Sequence, residues 1–218
     1  MSDCCSDKSC EIEALRSRQG TTLKQVLALN AAMFGIELTA GLLAASVALV
    51  ADSLDMLGDA LVYGFSLYVV ARGARMKAVA ALLKGAVMAA FGLFALAQAG
   101  YRILVPEVPV FETIGAVGLL ALAANSLCLA LLWRHRGEDI NMRSVWLCSR
   151  NDIIANVAVL LAALAVWASD SRWPDILVGV AIATLFLRSA ASVIAEARGQ
   201  LKAARRPVLP PERTAAPR

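Results

Sequence analysis

Residues 78–101 read AVAALLKGAVMAAFGLFALAQAGY, an apolar run in which Lys84 is the one charged side chain. A helix rises about 1.5 Å per residue, so a run of roughly 20 apolar residues crosses the hydrocarbon core of a bilayer. More such runs lie along the chain, and we predict spanning helices at residues 25–46, 48–71, 78–101, 109–133, 143–168 and 174–196. The predicted fold class is therefore all-α, a polytopic membrane protein with six transmembrane helices.

The composition of the whole chain agrees with this assignment. Of its 218 residues 59% are hydrophobic and 17% are charged, and the mean hydropathy is +0.67, whereas soluble domains carry about 25% charged residues. Five cysteines are too few for a disulfide scaffold, and the apolar runs leave no stretch for an extramembrane catalytic domain. We therefore do not expect an enzyme. We also expect no nucleic-acid partner, because an excess of basic residues in a membrane protein more often determines its orientation in the membrane.

Lysine and arginine outside the apolar runs are divided unequally between the two sides of the membrane. The two tails and the loops after the second and fourth segments carry sixteen, whereas the other side carries two, Arg102 and Arg172. Because positive residues are retained in the cytoplasm, we expect both termini there, in an integral multi-pass protein of the plasma (inner) membrane. The chain then divides into a cytoplasmic Cys-containing tail (1–24), a six-helix transmembrane domain (25–198) and a short basic, Pro-rich cytoplasmic tail (199–218).

The second segment contains three aspartates, Asp52, Asp55 and Asp59, spaced by three and then four residues. This spacing places all three on one face of a helix. Carboxylates one turn apart inside a bilayer repel each other, so they need bound protons or a cation between them. A divalent metal ion meets this need, while the alternative for Asp52 is a hydrated position at the helix end.

The fifth segment offers a second pair, Cys148 and Asp152, again four residues apart. Two helices that each supply such a pair can enclose a tetrahedral site, the geometry that Zn²⁺ accepts most readily. One thiolate with three carboxylates favours Zn²⁺ and tolerates Cd²⁺, Co²⁺ or Fe²⁺. For Cys148 taken alone, the alternative is a small buried apolar side chain.

Together these helices resemble a known family. The stretch Asn30-x6-Glu37-x3-Gly41-x4-Ser46-Val-Ala-Leu-Val-Ala-Asp52-Ser-Leu-Asp55-Met-Leu-Gly-Asp59 is similar to the first two helices of the cation diffusion facilitator family, and the pair in the fifth segment is similar to its second ligand pair. The resemblance implies a secondary active transporter that exports Zn²⁺, Cd²⁺ or Co²⁺ from the cytoplasm in exchange for protons. It also implies four transport ligands: Asp55, Asp59, Cys148 and Asp152.

The chain departs from the family at three points. Cys148 stands where most members have histidine, which favours softer metal ions. About 20 residues follow the sixth segment, too few for the family's C-terminal cytoplasmic domain, so we expect a truncated form whose homodimer would form through the transmembrane helices. The His-rich cytoplasmic loop of some members is missing too, because His135 is the single histidine.

Further polar residues near the predicted ligands have more than one interpretation. Asp52, Asn151 and Asn156 lie close to the ligands in sequence, and the two asparagines either donate hydrogen bonds to the carboxylates or join helices. For the remaining charges inside apolar segments we expect structural ion pairs or positions at the membrane interface; these are Glu37, Lys84, Glu112 and Arg188.

The N-terminal tail carries three thiols, Cys4, Cys5 and Cys10. On the cytoplasmic side they stay reduced, and they either capture soft metal ions or are incidental. No tightly bound cofactor is expected, and the partners are divalent metal ions, protons and membrane lipids. Two other functions share these features, since a metal-sensing membrane protein or a passive metal channel would use the same ligands without needing proton exchange.

Overall fold

The structure is a computed structural model that describes the backbone of residues 4–69, 74–133 and 142–203, and the side chains of residues 24–64, 76, 78–131 and 152–202. Within these ranges the regular elements are six α-helices: α1 (Cys4–Leu43), α2 (Val47–Val69), α3 (Ala74–Leu104), α4 (Phe111–Trp133), α5 (Met142–Ser169) and α6 (Trp173–Ala203). The prediction of an all-α protein with six helices is confirmed.

Helix ends differ from the sequence prediction where a helix continues past its apolar run. The first helix begins at Cys4 instead of near residue 25, and the last continues to Ala203 instead of ending near residue 196. A helix satisfies its backbone hydrogen bonds internally, so it can extend beyond the apolar region without losing them. Hydropathy therefore locates the apolar part of each helix and not its two ends.

Five of the described helices contain segments long and apolar enough to cross a membrane, in α1, α3, α4, α5 and α6. The remaining helix, α2, carries the three aspartates. It contacts α1, α3, α5 and α6, and every residue from 47 to 54 is buried. The acidic helix thus lies inside the bundle, while the outer helices expose an apolar surface suited to lipid, including Leu93, Leu119, Leu161 and Leu185.

The first two helices form a tight hairpin. Three residues separate Leu43 from Val47, and Ala45 in this turn has a positive φ of 60°. The helices can approach closely because Gly41 has no side chain: a Cβ there would come within 2.8 Å of both the backbone nitrogen and Cγ2 of Val50. This close contact fixes the beginning of α2 against the end of α1.

A carboxylate from the last helix holds the beginning of α2. Asp175 is buried, and it accepts hydrogen bonds from the Ser46 hydroxyl (2.5 Å) and from the backbone N–H groups of Val47 (2.6 Å) and Ala48 (3.2 Å). One turn further along α6, Gly179 leaves room for this approach, because a Cβ there would lie 2.6 Å from Val47. These contacts couple α6 to the hairpin and set the position of the acidic helix.

Candidate metal centre

The three aspartates of α2 lie on successive turns of the helix, at increasing depth from the hairpin. Asp52 is fully buried, whereas Asp55 and Asp59 are partly buried. At about 1.5 Å per residue, Asp55 lies about 4.5 Å and Asp59 about 10 Å beyond Asp52 along the helix axis. The helix therefore presents a column of carboxylates inside the bundle.

Asp52 is held by a chain of amide side chains that crosses three helices. The Nδ2 group of Asn156 in α5 donates to both carboxylate oxygens of Asp52, at 2.9 and 3.1 Å, and its Oδ1 accepts from Nδ2 of Asn125 in α4 at 3.0 Å. All three side chains are buried. The two interpretations of Asn156 both hold, because it donates to a carboxylate and also joins helices.

Asp152 extends this acidic region to the fifth helix. It is partly buried one turn before Asn156, and its negative charge acts on Asp52. The packing of α2 against α5 thus brings one predicted ligand, Asp152, into electrostatic contact with Asp52, which lies on α2 one turn before the other predicted pair. Such a concentration of negative charge inside an apolar bundle requires protons or a cation.

Part of the predicted site lies outside the described side chains, namely Cys148 and Asn151, and so do Cys4, Cys5 and Cys10 in the tail. Among the side chains that are described, no group of three His, Cys, Asp or Glu residues lies close enough to hold a metal ion. The four-ligand site of Asp55, Asp59, Cys148 and Asp152 therefore stays a prediction, as does metal capture by the tail.

Glu37 corrects one expectation from the sequence. Its side chain is 0% exposed, so it does not reach the membrane interface, and neither of its carboxylate oxygens has a hydrogen-bond partner among the residues that the structure describes. The negative charge of Asp52 acts on Glu37 and opposes its ionisation. The expectation was wrong because hydropathy gives the cost of a buried charge but not the face of α1 on which it lies, and that face packs against α2.

The other membrane charges divide into buried and exposed positions. Lys84 in α3 is buried, so it does not reach the interface. Glu112, in the first turn of α4, and Arg188, in α6, are exposed. Glu112 lies at one end of the apolar segment of α4, and its location at the membrane interface stays a prediction.

Sequence reasoning missed two residues that organise the site. Asp175 follows Trp173 and Pro174 at the start of α6, where an acidic residue is ordinarily explained by the dipole of its own helix. Asn125 is an amide in an otherwise apolar stretch of α4, and its Nδ2 group donates to Asn156. A buried amide inside a bilayer is a sign of such a partner, and this signal was available in the sequence.

Comparison with known proteins agrees with these features. Residues 23–201 match the model of the cation efflux transmembrane domain. Similar curated proteins include the metal cation efflux system protein CzcD of Cupriavidus metallidurans and the cation efflux system protein CzcD of an Alcaligenes species; each is 23% identical over 175 residues, which are 74% of this chain and 55% of the relative. The chain thus spans about half the length of the curated relatives it matches.

The domain match includes part or all of each of the six helices, from the middle of α1 to two residues before the end of α6. It confirms the resemblance to the cation diffusion facilitators that the aspartates of α2 and the pair in the fifth segment indicated. The chain therefore belongs to the cation efflux family, which consists of integral multi-pass membrane transporters and not of enzymes.

Proposed function

We propose that this protein exports divalent heavy-metal cations of the Zn²⁺, Cd²⁺ and Co²⁺ type from the cytoplasm in exchange for protons. The observation that carries the proposal is the meeting of acidic side chains from α2 and α5 inside the bundle, where the charge of Asp152 acts on Asp52 and Asn156 bridges the two helices. The transport ligands are Asp55, Asp59, Cys148 and Asp152. The name of one similar protein, a metal cation efflux system protein, supports a metal as cargo.

The charge of this ligand set explains why the metal would be exchanged for protons. Four ligands with up to four negative charges around one dication leave an excess of negative charge that an apolar bundle does not stabilise. An empty site therefore holds protons, and a metal that binds must displace them. If the site opens alternately to the two sides of the membrane, the same competition exchanges metal for protons, which makes the protein a secondary active transporter.

The direction of transport follows from the predicted topology. With both termini in the cytoplasm of a plasma (inner) membrane, the hairpin between α1 and α2 faces the opposite side. The inward proton gradient across such a membrane then drives the metal outward. A homodimer through the transmembrane helices belongs to the same proposal, supported by the apolar surface of the outer helices.

Flux in proteoliposomes tests the proposal against a passive channel and a metal sensor. A metal-sensitive dye inside the vesicles reports uptake of Zn²⁺, Cd²⁺ or Co²⁺ when the inside is more acidic than the outside. We expect accumulation above the external concentration, with its direction reversed when the pH gradient is reversed. Flux that only equilibrates the metal would indicate a channel, and binding without flux would indicate a sensor.

A matched pair of variants separates the site from general damage to the protein. Asp152→Asn removes a predicted ligand charge, whereas Glu112→Gln removes an exposed carboxylate in the first turn of α4. We expect the first variant to lose uphill uptake and the second to retain it. Equal uptake by both would contradict the assignment of the site.

A further inference from the structure

Glu37 is a fully buried carboxyl group that the predicted metal ligands do not include. Within the described part of the chain both of its oxygens lack hydrogen-bond partners, which is rare for a buried polar group and requires an explanation. Its electrostatic neighbour, Asp52, has both oxygens bonded to the amide of Asn156. The two carboxyl groups of this buried pair therefore lie in unequal surroundings.

This inequality decides which member of the pair carries a proton. Hydrogen bonds donated to a carboxylate favour its charged form, and a buried carboxyl group without donors favours the neutral form. Two neighbouring carboxyl groups also resist being charged together, and different surroundings assign them different roles. Glu37 is thus the member of the pair whose surroundings favour the neutral acid over the carboxylate.

No described basic group compensates Glu37. The charged side chains that the structure describes on the helices packed against α1 are Asp52, Asp55 and Asp59 in α2, Lys84 and Arg102 in α3, Glu112 in α4, Asp152 in α5, and Asp175, Arg188, Glu196, Arg198 and Lys202 in α6. Of these, Asp52 is the one whose charge acts on Glu37, and it is repulsive. A proton is the cation that satisfies Glu37 in this arrangement.

The pair lies on the hairpin side of the predicted transport ligands. Glu37 is six residues before the end of α1, and Asp52 is five residues after the start of α2, so both are about 8–9 Å from the hairpin along their helices. Asp55 and Asp59 lie deeper on α2. With the hairpin on the extracytoplasmic side, the pair lies between the ligands and the compartment from which protons enter.

We propose that Glu37 binds an exchanged proton at a site separate from the metal ligands, and that a metal ion arriving beside Asp55 and Asp59 releases this proton. The inference rests on the proposed function for its role in transport. On release the O–H bond of the Glu37 carboxyl group breaks, the electron pair stays on its oxygen, and the proton passes to water. When the metal leaves toward the hairpin side, a proton from that side restores the neutral acid.

The coupling is electrostatic and reciprocal. A dication one turn from Asp52 stabilises negative charge on the pair, so it favours the ionised form of Glu37. By linkage, a proton on Glu37 lowers the affinity for the metal by the same factor. This arrangement releases the metal on the side where the proton enters.

Infrared difference spectroscopy of the purified protein tests the inference without any transport measurement. Addition of Zn²⁺ to the wild type should remove the C=O stretching band of a buried protonated carboxyl group. Protonated ligand carboxyl groups also lose their bands when the metal binds, so it is the component from Glu37 that should be missing in Glu37→Gln, shifted in frequency in Glu37→Asp, and unchanged in the control Glu112→Gln. If Zn²⁺ removes the same bands from Glu37→Gln as from the wild type, or if the wild type shows no band loss, the inference is overturned.

Calorimetry in buffers of different ionisation enthalpy counts the protons released for each Zn²⁺ bound. We expect Glu37→Gln to release one proton fewer than the wild type and to bind the same number of Zn²⁺ ions, which also shows that the variant is folded. An unchanged proton count, or a fall in the number of Zn²⁺ ions bound, would overturn the inference, the latter by making Glu37 a metal ligand. Vesicles without uphill flux would refute the proposed function while leaving both of these results intact.

Discussion

Replacement of Asp175 by alanine should destabilise the protein by disrupting the start of α2. The first N–H groups of a helix have no partners within that helix. In α2 the N–H of Ser46 bonds the Gly41 carbonyl at 2.9 Å and that of Leu49 bonds the Ser46 hydroxyl at 3.0 Å, while those of Val47 and Ala48 bond Asp175. Asp175→Ala would leave these last two without an acceptor.

The magnitude follows from the burial of these groups. Val47 and Ala48 are at most 1% exposed, so water cannot replace the lost carboxylate. A buried donor without a partner costs about 1–3 kcal/mol, and two such donors give an expected loss of about 2–6 kcal/mol in the free energy of unfolding. The Ser46 hydroxyl adds little to this sum, because it can rotate toward another acceptor.

Unfolding by SDS in mixed micelles, followed by the loss of helical circular dichroism, measures this loss. The matched control is Asp170→Asn, because Asp170 is exposed in the turn before α6 and asparagine tolerates its positive φ of 45°. The control should change the free energy of unfolding by no more than about 0.5 kcal/mol. If Asp175→Ala has an equally small effect, the carboxylate does not hold α2 in place.

Three further predictions concern the transport site. Asp59→Ala and Asp152→Ala should each abolish metal flux in vesicles while the protein still inserts, because each removes a ligand; substantial flux in both would refute the ligand set. Serine at all three N-terminal cysteines should lower the apparent affinity for soft metals, as measured by flux against metal concentration, and complete loss of flux would contradict an accessory role. Cys148→His should still transport Zn²⁺ but should transport Cd²⁺ less well relative to Zn²⁺, since imidazole is harder than thiolate. Cys148→Ala should impair transport of both metals. An active alanine variant with an unchanged preference between the two metals would exclude Cys148 from the site.

Hydropathy predicted the six helices because crossing a bilayer imposes a length and an apolar composition on each one. It placed the beginning of α1 near residue 25, whereas this helix begins at Cys4. The first part of α1 was missed because a helix needs no apolar run outside the membrane. The spacing of the α2 aspartates similarly indicated a shared face, which is a local property of a helix.

Contacts between distant parts of the chain were much less predictable. Asp175 bonds the backbone of Val47, 128 residues away in sequence, and nothing near Asp175 in the chain indicates this partner. The burial of Glu37 without a described hydrogen-bond partner depends in the same way on the packing of α1 against α2. Asn156 was a candidate in the sequence because it lies near the predicted ligand Asp152, whereas its second partner, Asn125, belongs to another helix.

X-ray absorption at the zinc edge tests the central claim, that one thiolate and three carboxylates bind the transported metal. The measurement uses Zn²⁺-loaded protein in which the three N-terminal cysteines are serine, so that the tail contributes no sulfur. We predict one sulfur at about 2.3 Å and oxygen ligands at about 2.0–2.2 Å, with the sulfur lost in a further Cys148→Ser variant. A zinc shell without sulfur, or a sulfur that persists after Cys148→Ser, would contradict the account.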